Sequence, residues 1–269
     1  MSIKVVIHGA AGRMGQRLVA LTIEDERLEL VGAVEYSGSP RQGQDAGIVA
    51  QKPAVGILIT DKFDVLAEAD VVVDFSLPPA LAGLVAACRE HKTALVCGTT
   101  GLEEEQKALL AEAAQDIPLL YGPNMSIGVN LMFKVAQFMA SLVNEDFDIE
   151  IFEKHHRFKK DAPSGTALRL AELVAEARSL NLAEVGRYSR EGDLPIRPTN
   201  EIGVQSMRGG DIVGEHTLYF ATPGERLELV HRATSRDIFV RGALQAARWL
   251  ASKTPGKVYD MYDLLEDNG

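Results

Sequence analysis

The chain has 269 residues, 46% hydrophobic and 25% charged, a globular composition long enough for one large domain or two ordinary ones. With 38 Asp and Glu against 28 Lys and Arg, the formal net charge of -10 excludes a general nucleic-acid or membrane-surface binder, which needs a broad positive footprint. Cys88 and Cys97 are too few for a disulfide framework, and "MSIKVVIHGA" runs straight into a strand without a signal segment, so a reduced, cytoplasmic protein is expected.

From the start, short β-branched runs alternate with helical patterns: "IKVVIHGA", "RMGQRLVALTIED", "LELVGAVEY", then "ADVVVDFS", "PPALAGLVAACREHK", "TALVCGT", "LEEEQKALLAEAAQD" and "IPLLYG". This rhythm predicts an α/β, Rossmann-like doubly wound parallel sheet covered on both faces. After Asn124 it changes. A long apolar helix, "IGVNLMFKVAQFMASLV", leads into "FDIEIFE", where Phe147, Ile149 and Ile151 alternate with acids, and later runs alternate likewise with no helix between them. A second, α+β domain with a mixed or antiparallel sheet is expected over 127–235. "RDIFVRGALQAARWLASK" returns to helical periodicity, so 236–269 is expected to rejoin a dinucleotide-binding domain at 1–126.

The first turn, "VVIHGAAGRMGQRLV", spaces Gly9, Gly12 and Gly15 three apart at the mouth of a helix. Such glycines let backbone amides approach a pyrophosphate, although G-x-x-G-x-x-G is less diagnostic than G-x-G-x-x-G and a plain strand-to-helix turn competes. Glu35, about 20 residues further on at the end of the second strand, favours the dinucleotide reading, because an acid there accepts hydrogen bonds from ribose hydroxyls. The turns "CGTTGL" and "GPNMSIGVN" end later strands and are placed either to line a nicotinamide or to start helices, with Thr99 or Thr100 as an N-cap.

Positive charge concentrates locally in "EKHHRFKKDAPSGTA", residues 153–167. Ser164 is a candidate N-cap, and the first-turn amides of Gly165 and Thr166 are suited to an anion. With His155, His156, Lys159 and Lys160 just upstream, the arrangement reads as a receptor for a small carboxylate. A solvated turn leaves the paired histidines unexplained. A metal site is disfavoured because adjacent histidines on a strand point to opposite faces.

"EKHHRFKKDAPSGTALRLAE", with "GAAGRMG", "GTTG" and "GPNMSIGVN", closely resembles the dihydrodipicolinate reductase family of bacterial lysine and diaminopimelate synthesis, over nearly the whole chain. The resemblance implies NADH- or NADPH-dependent reduction of 4-hydroxy-tetrahydrodipicolinate, with loss of water, in a cytoplasmic homotetramer. It implies that His155 is the general acid, that Lys159 assists, and that His156 with Ser164, Gly165 and Thr166 binds the cyclic dicarboxylate. The cofactor is expected to touch Gly9, Gly12, Arg13, Met14, Gly15, Glu35, Gly98, Thr99, Thr100, Asn124, Met125 and Phe239, the last of which reads equally as core. Tyr36 stands where some members have an Arg, which weakens a preference for NADPH. Another small-acid dehydrogenase needs less positive charge, and a non-catalytic NAD(P) sensor has no use for His155 and Lys159.

Overall fold

The computed structural model describes residues 2–267. They form two compact units, Met1–Ile127 with Asp237–Gly269 and Gly128–Arg236.

The first unit contains β1 (Ile3–His8), α1 (Arg13–Glu24), β2 (Leu28–Val34), a short α2 (Ala46–Val49), β3 (Ile59–Thr60), β4 (Val71–Asp74), α3 (Leu81–His91), β5 (Ala94–Cys97), α4 (Glu104–Ala113) and β6 (Leu119–Tyr121). The second unit starts on α5 (Ile127–Leu142) and holds β7 (Asp148–His155), α6 (Gly165–Ala177), α7 (Leu182–Val185), β8 (Gly186–Arg187), β9 (Ile202–Arg208), β10 (Gly214–Thr222) and β11 (Glu225–Ala233). α8 (Asp237–Leu250), β12 (Val258–Tyr259) and α9 (Met261–Asp267) return to the first unit.

The seven strands of the first unit are parallel, in the order β12-β6-β5-β4-β1-β2-β3. Alternation along β1 sends Val5 and Ile7 into a core shared with α1 and α8, and Val6 into a second core shared with α3 and α4. Burial on both faces is why these strands read as unbroken apolar runs. Strand order reverses between β1 and β4, so their carboxyl ends, at His8 and Asp74, flank the crevice where such sheets take ligands.

The five strands of the second unit run β11-β10-β7-β9-β8. β10 is antiparallel to β7 and β11, but β7 and β9 are parallel. The sheet is therefore mixed. α6, α7 and a long irregular segment carry the chain back to the same end of the sheet, and that crossover makes a parallel neighbour possible. The alternative reading of Thr99 or Thr100 as an N-cap does not hold: α4 starts later, capped by Glu103 in a reciprocal box with Gln106.

Candidate active site

In the first unit the glycine loop is a tight cradle. Gly9 adopts φ +77°, and a Cβ there would lie 2.8 Å from the Phe75 carbonyl oxygen. A Cβ on Gly15 would lie 2.0 Å from the Gly9 oxygen, so α1 can only approach the loop this closely through glycine. α1 is capped by Gly12 without a side-chain hydrogen bond, and its first turn opens with exposed Arg13 and half-buried Met14. Glu35 closes the loop, since its carboxylate accepts from the Ala11 amide at 2.9 Å and from the Tyr36 amide at 3.1 Å. Tyr36 itself is 64% exposed.

A buried polar cluster lies under the neighbouring strand ends. Asp74 accepts from the Thr99 hydroxyl (2.7 Å) and the Ser76 amide (3.1 Å), and pairs with His8 Nδ1 (2.7 Å). Burial alone would raise the Asp74 carboxyl, but its hydrogen bonds, led by His8, hold it below its ordinary range. Thr99 thus spends its side chain inside the protein, whereas Thr100 is exposed. Gly98 is forced by the Phe75 ring, 2.5 Å from where its Cβ would be. Asn124 is half-buried and accepts from the Ser126 amide at 3.0 Å. The Met125 side chain is 1% exposed and belongs to the core, and Phe239 is half-buried in the first turn of α8. These surroundings fit a dinucleotide: a glycine-lined helix start with an arginine beside it, and a carboxylate at the end of β2.

In the second unit, β7 delivers His155 at its last position and the turn after it delivers His156 and Lys159. Ser164 caps α6 as expected, its hydroxyl accepting from the Ala167 amide at 3.3 Å. Lys159 Nζ grips both carboxylate oxygens of Asp161, at 3.0 and 2.8 Å. Gly165 is exposed, and a Cβ there would meet nothing within 4 Å, so the start of α6 faces open space beside half-buried Thr166. The two histidines differ sharply. His155 Nδ1 lies 2.6 Å from Glu153 Oε2, whereas His156 Nδ1 is buried without a hydrogen-bond partner among the described residues.

Three residues of this cluster lie outside the sequence expectations. Glu153 is fully buried, and Arg208 on β9 clasps both its oxygens at 2.8 Å. Burial would raise the Glu153 carboxyl, but hydrogen bonds from His155, Arg208 and Ser206 hold it well below its ordinary range. His216, on β10, has its Nε2 3.1 Å from the Ser164 hydroxyl and its ring 5.3 Å from that of His155. Burial pushes His216 down to about 3, so it stays neutral. One signal for Glu153 was available: the alternation that buries Ile149 and Ile151 continues to position 153 and buries a carboxylate there. Arg208 and His216 gave none, since only strand register brings them to β7.

Residues 3–125 match the family described as dihydrodipicolinate reductase, N-terminus, and 128–265 match its C-terminus. The chain belongs to the dihydrodipicolinate reductase family. Within it, the 4-hydroxy-tetrahydrodipicolinate reductases of Citrifermentans bemidjiense and Syntrophotalea carbinolica are 48% and 49% identical over 264 residues, 98% of each chain. A dipicolinate-bound dihydrodipicolinate reductase from Paenisporosarcina sp. TG-14 shares the fold with a TM-score of 0.76, at 24% identity and over 97% of this chain and 98% of that one. A diaminopimelate dehydrogenase from C. glutamicum is more distant, with a TM-score of 0.54 at 14% identity over 99% of this chain and 98% of that one.

Proposed function

We propose that the turn from β7 to α6 binds the cyclic dicarboxylate and protonates it, and that the glycine loop of the first unit holds the nicotinamide dinucleotide. The chain is an NAD(P)H-dependent reductase that converts 4-hydroxy-tetrahydrodipicolinate to tetrahydrodipicolinate with loss of water. The observation that carries the site assignment is Lys159: its ammonium already holds a carboxylate, that of exposed Asp161, beside a glycine-softened helix start. A substrate carboxylate takes the same kind of contact, with Ser164, Gly165, Thr166 and His156 completing the receptor.

The dinucleotide supplies a hydride to the electron-poor C=C–C=N system left when the substrate loses water. The protein's task is then to hold both carboxylates, polarise the ring, and return a proton to the enamine carbon. His155 is the proton donor, since imidazole is the side chain suited to giving up a proton near neutrality. Gly9, Gly12, Arg13, Met14 and Gly15 hold the pyrophosphate side, Glu35 the ribose, and Gly98, Thr100, Asn124 and Phe239 the nicotinamide side. Thr99 and Met125 act there through their backbone. Glu35, followed by Tyr36 in place of an arginine, favours NADH.

The sheet of the second unit supports assembly into a homotetramer: opposite the face that buries Glu153, it exposes Phe152, Met207 and Val230. Buried free thiols at Cys88 and Cys97, both raised by burial, suit a cytoplasmic enzyme. Among the described residues no helix is long and apolar enough to cross a membrane.

The test is oxidation of NADH and NADPH, with substrate made in situ by condensing pyruvate with aspartate semialdehyde. The wild type is expected to turn over, with NADH at least as good as NADPH. His155→Gln is expected to lose at least about 100-fold in kcat, and Lys159→Ala to raise KM for the dicarboxylate. Undiminished kcat in His155→Gln would remove the histidine from the mechanism.

A further inference from the structure

Register across the second sheet sets two polar rows side by side. One crosses β9, β7, β10 and β11 as Ser206, Glu153, His216 and His231; the next holds Arg208 and His155, with Gly214 of β10 beside the His155 ring. Glu153 stands in the first row and bonds into the second. Its Oε2 takes His155 Nδ1 at 2.6 Å and Arg208 Nη1 at 2.8 Å, and its Oε1 takes Arg208 Nη2 at 2.8 Å and the Ser164 amide at 3.0 Å. Every lone-pair direction of this carboxylate is thereby spoken for, so it can neither rotate nor accept a proton without breaking a bond.

The far side of the imidazole is arranged differently. A Cβ on Gly214 would lie 3.0 Å from His155 Nε2, so any larger residue would crowd that nitrogen, and glycine leaves it room. The charged and titratable groups around the ring are Glu153 on its own strand, Arg208 on β9, His216 on β10 and Lys159 in the following turn. Arg208 and Lys159 are each engaged by a carboxylate, and His216 is neutral. Among the described residues, Glu153 is the one anion bonded directly to the ring.

We propose that Glu153, clamped by Arg208, is a positioning residue that keeps a hydrogen on Nδ1 of His155, so that the proton passed to substrate is the one on Nε2. In the transfer, the Nε2–H bond breaks, a C–H bond forms at the enamine carbon, and the ring is left neutral with its remaining hydrogen on Nδ1, facing Glu153. Arg208 keeps the carboxylate ionised, which stops Glu153 from taking the proton itself. The arrangement also explains why His155 rather than its neighbour does the work: His156 Nδ1 has no hydrogen-bond partner among the described residues.

This rests on His155 being the acid, so the experiment separates the two ideas. In the full-length enzyme, kcat, KM and NADH affinity are measured from pH 5.5 to 9 for the wild type, His155→Gln, Glu153→Gln and Arg208→Lys. Glu153→Gln is expected to lower kcat at least tenfold while KM and NADH affinity stay within twofold. The shape of its kcat–pH profile should change as well, since the carboxylate bonded to the ring is gone. Arg208→Lys is expected to lie between the two. If His155→Gln loses activity but Glu153→Gln keeps wild-type kcat and pH profile, the positioning role is overturned while the acid survives; if His155→Gln keeps its activity, both fall. Should Glu153→Gln not fold, histidine nitrogen NMR of the wild type at pH 8.5, with His155 assigned by its loss in His155→Gln, decides. Hydrogen on Nδ1 supports the proposal, and hydrogen on Nε2 overturns it.

Discussion

Each unit carries a histidine bonded through Nδ1 to a fully buried carboxylate, His8 to Asp74 at 2.7 Å and His155 to Glu153 at 2.6 Å. The pairs have similar chemistry, and the proposed proton transfer uses only the second. Around Asp74 the other partners are Thr99, the Ser76 amide and, at 3.6 Å, the Cys97 thiol, all from the ends of β4 and β5 or just beyond them. That pair ties three strand ends together, and the His8 side chain is 6% exposed with Phe63 5.7 Å away. Around Glu153 the extra partner is a cation, and the His155 side chain is 12% exposed with Gly214 beside its second nitrogen. A buried carboxylate and imidazole are therefore no catalytic signature by themselves. What marks the second pair is the room that glycine leaves at Nε2 of His155, on which the proposed proton transfer relies.

The most severe way to test this contrast is Asp74→Ala. It strands His8, Thr99 and the Ser76 amide in the interior, and loss of one partner from a buried charged pair costs about 3 to 5 kcal/mol. Urea unfolding at fixed protein concentration should show that loss, with NADH binding weakened and kcat of the folded fraction close to normal. A stable Asp74→Ala enzyme with collapsed kcat would erase the distinction between the pairs.

Acid sharpens the comparison from the other side. His216 stays neutral in the folded protein down to about 3, whereas an unfolded histidine takes a proton near its ordinary value of 6.5. The unfolded chain therefore binds the extra proton, so this contribution to stability is complete above pH 6.5 and is lost as pH falls, at about 1.4 kcal/mol per pH unit. Urea midpoints at pH 7.5, 6.5 and 5.5 should reveal that slope, and His216→Gln should flatten it. An equal slope in both proteins would mean that His216 protonates in place.

The smallest expected effect belongs to Gly214→Ala. The added methyl meets a side-chain ring that can shift by a few tenths of an ångström, so the unfolding midpoint should barely move. Displacing the proposed proton donor nonetheless costs rate, here about fivefold in kcat. Unchanged kcat would show that Nε2 does not need the space.

The sequence revealed five of the seven strands of the first sheet, because strands buried on both faces and amphipathic helices leave strong periodic signals, whereas the two-residue β3 and β12 leave none. The glycine loop, Glu35 and the Ser164 cap were legible for a related reason: their partners lie nearby in the chain or at a fixed spacing. The parallel pairing of β7 and β9 was not, since the crossover includes a two-residue strand and a long stretch without regular structure. Nor were Arg208 and His216, which stand 55 residues and more from Glu153 and meet it or its neighbours only through register. Met125 and Thr99 show the converse: position beside a ligand turn suggested contact, while their side chains are committed to the interior.

The first unit is also built from two stretches of chain, and this has a consequence for synthesis. β12 pairs with β6, and α8 covers one face of the parallel sheet, yet both are translated only after the whole of residues 128–236. At about 5 to 20 residues per second, the nascent first unit waits several seconds or longer with the edge of β6 open and an apolar face uncovered. The intervening unit has all its own strands before that wait ends. On the ribosome, the later-made half of this enzyme is thus able to finish folding first, and it does so while the earlier half is still sticky.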